Sequence, residues 1–223
     1  MELQATTPNY TLQEAAMFVR LPQSTLLYWT RGRKGTPPVI RTKKLLSLVN
    51  LVEIHMVSMF RAQHGVSLQR VRRAIARLAR EHPQEKHPLA TKRFWTDGRE
   101  ILTQRVGGDL VSLNVPGQMT FGAAIELYAR RVEWNAGVPV RLYPWTVNRI
   151  ADVASERRSV VVDPRVAFGR SVIAGTRVTT KAIKELWDLG VPIDEIAEEF
   201  DVTTIRVQDA VRLEEARPAR RAG

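Results

Sequence analysis

The sequence predicts a mainly α-helical protein with small β elements, and three observations carry that prediction. Two helix-turn-helix patterns stand near the ends of the chain, over about residues 11–32 and 180–213. The stretches 48–60 and 68–78 place apolar residues at helical spacing. Short apolar runs between turn signals, such as Asp97-Gly98 and Gly107-Gly108-Asp109, add strands in the middle. The architecture expected is an N-terminal helix-turn-helix with a basic loop or small β-wing, an α+β middle, and a C-terminal three-helix unit.

Each element has a local cause. Thr11-Leu12-Gln13-Glu14 is a capping box: Thr11 caps the helix start and Glu14 bonds back to its amide. Ala15, Ala16 and Phe18 continue the apolar face. Leu21-Pro22 breaks that helix, and Pro22 suits the start of the next, where a missing N–H costs nothing. The second helix runs over 23–29 and turns Leu26 and Trp29, or Leu27, inward. Gly and Pro forbid a helix over 31–44. Ser47 caps a third helix with Leu48, Leu51, Val52, His55, Met56, Met59 and Phe60 in register, and His64-Gly65 ends it. Ser67 caps a fourth, with Leu68, Val71, Ile75 and Leu78 on one face and Arg70, Arg72, Arg73, Arg77 and Arg80 around the rest. Residues 81–88, with His82 and His87 each before a proline, read as a linker.

In the middle, 93–96, 100–106 and 110–113 read as strands, 120–134 as a helix and 138–145 as a strand. Two short strands follow around Asp163-Pro164 and Gly169. Three compact helices close the chain over 180–189, 193–200 and 203–215. The domain division expected is 1–82, 83–158 and 159–216, with 217–223 a basic tail.

Composition bounds the function. The chain has 223 residues, 44% of them hydrophobic, enough for a core. There is no cysteine, which excludes disulfides and Cys-based zinc sites. The polar start MELQATTPNY is no signal peptide, and no apolar run has the length of a membrane span. The expected location is cytoplasmic.

Charge is divided unequally. The net charge is +11. Residues 1–95 hold 16 basic and 5 acidic side chains, whereas residues 96–223 hold 18 of each. Within the latter, residues 179–215 hold 4 basic and 10 acidic. A polyanion-binding half joined to a half with another partner follows from this split.

The N-terminal half is therefore expected to bind double-stranded DNA. The first residues of a recognition helix enter the major groove; here they are Gln23, Ser24 and Thr25. Gln pairs with adenine, and Ser or Thr bonds to several base edges. Tyr28, Arg31, Arg33, Lys34, Arg41, Lys43 and Lys44 are the expected phosphate contacts. The C-terminal unit carries Asp194, Glu195, Glu198, Glu199 and Asp201, which repel phosphate, so assembly or protein contact is expected there. A solvated acidic face accounts for the same residues. Glu195 and Glu199 share a helix face, but no His lies near them, so no metal site is expected. With no Cys nucleophile, no G-x-S-x-G and no phosphate-binding glycine loop, neither enzyme activity nor a cofactor is expected.

The first 80 or so residues resemble the MerR-type winged helix. The resemblance rests on Tyr10-Thr11-Leu12-Gln13-Glu14-Ala15-Ala16, on Leu21 to Trp29, and on Gly65-Val66-Ser67-Leu68-Gln69-Arg70-Val71-Arg72. Two departures stand out: Leu27 occupies a place where arginine is common, and the helix from Ser67 is too short for that family's dimer coiled coil. The last 60 or so residues resemble a domain of unknown function found in VapB-type antitoxins. Here the matching residues are Asp163-Pro164, Gly169, Ile173-Ala174-Gly175-Thr176-Arg177-Val178, Leu189 to Phe200, and Val202-Thr203. Val172 stands where a proline is usual.

Together the resemblances imply an antitoxin of a type II toxin–antitoxin pair. Such a protein silences a PIN-like ribonuclease toxin and represses its own operon, and two-fold operators imply a homodimer. Arg217, Arg220 and Arg221 are candidates to bind the toxin's carboxylates in bidentate fashion; a solubilising tail is the plainer account of them. The alternative function is a stand-alone transcription regulator with a small-molecule pocket over 90–150. An RNA-binding accessory protein is disfavoured, because the aromatics do not interleave with the basic residues.

Overall fold

The computed structural model describes residues 2–42, 44–64, 67–91, 126–146 and 157–216. Five helices come first: α1 (Glu2–Thr6), α2 (Leu12–Val19), α3 (Gln23–Arg31), α4 (Leu48–His64) and α5 (Leu68–Glu81). A 3₁₀ turn, Pro88–Ala90, follows. Strands β1 (Val132–Asn135), β2 (Val138–Leu142), β3 (Val160–Val162) and β4 (Ser171–Ile173) come next, and α6 (Thr180–Asp188), α7 (Ile193–Glu199) and α8 (Thr204–Glu215) end the described chain. The fold is mainly α with one small sheet, as the sequence predicts.

Helix α4 is the centre. The expected positions Leu48, Leu51, Val52, His55, Met56, Met59 and Phe60 are buried, and so are Val49, Ile54 and Val57 between them. A helix buried all round needs cover on every side. Helices α1, α2 and α5, strand β2 and the 3₁₀ turn supply it. Its buried polar groups are partnered, as the cost of desolvation requires. Ser47 and Asn50 cap each other reciprocally, with Asn50 N–H to Ser47 Oγ at 3.2 Å and Ser47 N–H to Asn50 Oδ1 at 3.1 Å. Asn50 Nδ2 also donates to Glu53, whose other partner is His87 Nδ1 at 3.1 Å. His55 Nε2 meets Tyr128 O at 3.2 Å, and its ring lies against Tyr128 and Trp145. Burial first, and the nearby Arg131 charge after it, hold His55 down to about 3, so the imidazole is neutral.

The sheet order is β1-β2-β3-β4, antiparallel throughout. It joins the middle of the chain to its last quarter through β2 and β3. Asp163, its side chain only 1% exposed, follows β3 and ties the outer face together. It accepts from Arg165 Nη2 at 2.7 Å and from Arg141 Nε at 2.8 Å. Burial alone would raise its pKa; the two guanidinium groups outweigh burial and bring it to about 2. Arg141 also pairs with Glu133, which accepts from Tyr143 Oη.

Several expectations need correction. The alternative left open at α3 falls to Trp29, which faces the core beside Leu26, while Leu27 is exposed. The chain is helical over 126–129, but Val132 and Trp134 belong to β1 rather than to a helix reaching residue 134. Ala136 and Gly137, at φ 48° and 80°, turn the chain into a hairpin, and pairing with β2 overrides the helical spacing. The expected linker 81–88 leads into a buried segment: Pro88, Leu89 and Ala90 pack on α4. The strands expected over 93–96, 100–106 and 110–113, and most of the proposed pocket region, lie outside the described residues.

Candidate nucleic-acid interface

The predicted capping box is present, with Thr11 N–H and Oγ1–H both donating to Glu14 and Glu14 N–H donating to Thr11 Oγ1. Helix α2 ends at Arg20, in the left-handed region at φ 51°. Pro22 then opens α3. No side chain among the described residues caps α3, so the positive end of its dipole stays open to an anion. Gln23 and Ser24 are exposed there and Thr25 is half-buried. Leu26, Trp29 and Thr30 hold the opposite side in the core.

The basic loop folds back on α3. Gly32, at φ 72°, makes the first turn; a Cβ there would sit 2.3 Å from Thr36 O. Arg33 and Thr36 close the loop with paired backbone bonds of 3.0 and 2.8 Å. The Val39 and Ile40 amides both donate to Trp29 O, and both side chains are buried. Of the two forms expected, a basic loop or a small β-wing, the segment takes the first: a tight loop with one bridge, Arg33 to Thr36, among its described residues. Arg31, Arg33, Lys34, Arg41 and Lys44 are exposed, and Tyr28 is half-buried beside them. Lys43 lies outside the described residues, as do Arg217, Arg220 and Arg221.

Two arginines matter that sequence reasoning did not assign. Arg72 of α5 donates from Nε to Pro37 O at 3.0 Å, and its guanidinium lies over the Tyr28 ring at 5.4 Å. Arg33 lies over the same ring at 4.6 Å. Arg20 donates to Trp145 O, Thr146 O and Arg212 O, joining the turn between α2 and α3 to the C-terminal part. At the other end of α2, Asn9 Nδ2 donates to Phe168 O at 2.7 Å. Both contacts are tertiary. For Arg72 the available signal was its place on the flank of α5's apolar stripe.

The C-terminal unit presents a different surface. Asp194, Glu195, Glu198, Glu199 and Asp201 are exposed. Asp209 and Glu214 are buried instead, accepting from Ser159 Oγ and Thr180 Oγ1 at 2.6 Å each. Arg212 pairs with Asp209, and Arg206 donates to Ala174 O. Among the described residues no group of three or more His, Asp or Glu could hold a metal, and no helix is long and apolar enough to cross a membrane.

Comparison with known proteins places these observations. Residues 160–212 match a family described as protein of unknown function (DUF433). The chain is 27% identical over 241 aligned positions, covering 95% of each protein, to a Mycobacterium tuberculosis protein named "Putative antitoxin VapB45". Its fold matches the crystal structure of Rv2018 from the same organism, with a TM-score of 0.70 at 24% identity, over 92% of this chain and 98% of the other. Similarity to a protein named as a VapB-type antitoxin therefore extends along nearly the whole chain, and residues 160–212 are the part that matches the family of unknown function.

Proposed function

We propose that this protein is the antitoxin of a toxin–antitoxin pair and that it binds its own operator DNA through α3 and the loop 31–44. It acts as a homodimer, represses its operon and neutralises a PIN-like ribonuclease toxin. Its role is regulatory rather than enzymatic, and its place is the cytoplasm. Similarity to a protein named as an antitoxin supports the first part. The DNA part is carried by one observation: an uncapped, exposed helix start lies beside a loop with five exposed cations, in the half of the chain that holds the net positive charge. The middle or C-terminal part takes the toxin, because the acidic surface of α7 is unsuited to phosphate.

Fluorescence anisotropy against salt tests the DNA part. Replacing Arg31→Ala together with Arg33→Ala removes two phosphate contacts. Binding weakens on every sequence, and the slope of log K against log salt falls by about 2. An unchanged slope would reject these contacts. Co-expression with the product of the neighbouring gene tests the antitoxin part; failure to form a complex with it would end that reading.

A further inference from the structure

We infer that Arg72 is a positioning residue: it clamps the basic loop 32–38 onto α3 and so fixes where Arg33 meets DNA. The inference rests on the DNA-binding reading above and names the device that makes the loop a defined surface.

A loop with Arg33, Lys34 and Gly35 at its tip would ordinarily sample many conformations, and ordering it on binding would cost affinity. Here it is held at several points. Its ends are closed by the Arg33–Thr36 bonds, and its return is fixed by Val39 and Ile40 on Trp29 O. The remaining stretch is Pro37-Pro38, whose rings restrict φ. Fixing one carbonyl of that rigid pair fixes the loop, and the carbonyl taken is Pro37 O, 3.0 Å from Arg72 Nε.

The residue type suits the task. A guanidinium donates in its plane while its flat face stacks on an aromatic ring. Arg72 does both, bonding Pro37 and lying over Tyr28 of α3. A lysine ammonium is a point charge and cannot do both from one position. Arg72 thus joins three separate pieces: α5, the recognition helix and the loop. Arg33 stacks on the same ring yet stays exposed, so the clamp presents it at a set place beside α3.

The arrangement is not explained by stability alone. Arg72 Nη2 is buried and has no hydrogen-bond partner among the described residues. A buried unpaired donor lowers stability. Two cations on one ring also repel each other. Both costs are accepted at the Tyr28 ring, where α5, the recognition helix and the loop come together.

The test uses the full chain and Arg72→Met and Arg72→Lys variants, with matched circular dichroism. The first readout is anisotropy on a labelled duplex spanning the region upstream of its own gene and on a scrambled duplex. The second, independent of DNA, is the rate of tryptic cleavage after Arg33 and Lys34. Arg72→Met is expected to weaken binding about tenfold while leaving the salt slope within about one phosphate contact. It should also speed cleavage in the loop, and Arg72→Lys should behave like it. Wild-type affinity or unchanged cleavage in Arg72→Met would overturn the inference. So would full rescue by Arg72→Lys, since charge alone would then suffice. If Arg72→Met does not fold, Arg72→Gln replaces it under the same criteria. Failure of the wild-type chain to bind either duplex would remove the DNA reading itself, and this inference with it.

Discussion

The two helical units near the ends of the chain share a local plan and differ in surface. In the first, Thr11 caps α2, Arg20 turns the chain at φ 51°, and Pro22 opens α3. In the second, Thr179 caps α6, Gly190 turns the chain at φ 85°, and Pro192 opens α7. The residues that then face solvent diverge. Helix α3 begins with Gln23 and Ser24 and leads to a basic loop; α7 begins with Asp194 and Glu195 and continues through Glu198 and Glu199. Capping and turn chemistry therefore specify how two helices meet, while the charge left outside decides what can approach. A carboxylate row in α7's position repels phosphate as surely as the loop cations attract it.

The difference does not make the units independent. Asn9 and Arg20, at the two ends of α2, both bond to backbone carbonyls of the latter part of the chain. One apolar cluster runs from Ala5 through α4 to Leu213.

The largest effect is expected at Gly169. It adopts φ 81°, and a Cβ there would sit 2.3 Å from Asn9 Nδ2 and 2.9 Å from the Tyr10 hydroxyl. Gly169→Val combines backbone strain with overpacking and is expected to cost about 3 kcal/mol, seen as a lower thermal midpoint in one cooperative transition. A wild-type midpoint would show that the contact between the units carries no stability.

A smaller effect follows from His55 of α4, which is buried against Tyr128 and Trp145. Its folded pKa is about 3. The unfolded chain takes up a proton near pH 6.5 that the folded chain refuses. Stability is therefore lost as pH falls below 6.5, by about 2 kcal/mol between pH 7 and pH 5. Asp163 acts in a separate window: held at about 2, it adds stability above pH 4 that is lost as pH falls toward 2. Urea unfolding at pH 7 and pH 5 measures the first loss. His55→Leu should flatten the profile; a profile unchanged by that substitution would assign the pH dependence elsewhere.

The smallest effect is expected on the acidic unit. Glu198→Gln with Glu199→Gln alters exposed side chains and should shift stability by no more than about 0.5 kcal/mol. The contrast between the units predicts an unchanged DNA affinity at physiological salt and altered capture of the toxin. A toxin complex of unaltered strength would return this surface to the role of a solvated face.

Helix starts and stops were legible because their causes lie within four residues. The Thr11–Glu14 box, Ser67 before α5, Pro22 and Gly190 act on neighbouring backbone, and each stands where the sequence places it. The strands around Asp163 and Gly169 were legible for the same reason, as apolar runs beside a turn. The helix expected to reach residue 134 went astray because Val132 and Trp134 suit either period, and only pairing with β2 decides between them.

By itself, the sequence determined the local plan of this protein: where helices are capped, where the chain turns, and which half holds the positive charge. Only the tertiary structure decided which side chains act together. Arg72 meets Pro37 across 35 residues, Arg20 meets Trp145 across 125, and Asn9 meets Phe168 across 159. The physical reason is range. Capping and turn energies act between neighbours in sequence, whereas a guanidinium's choice of carbonyl depends on packing that brings distant segments within 3 Å of each other.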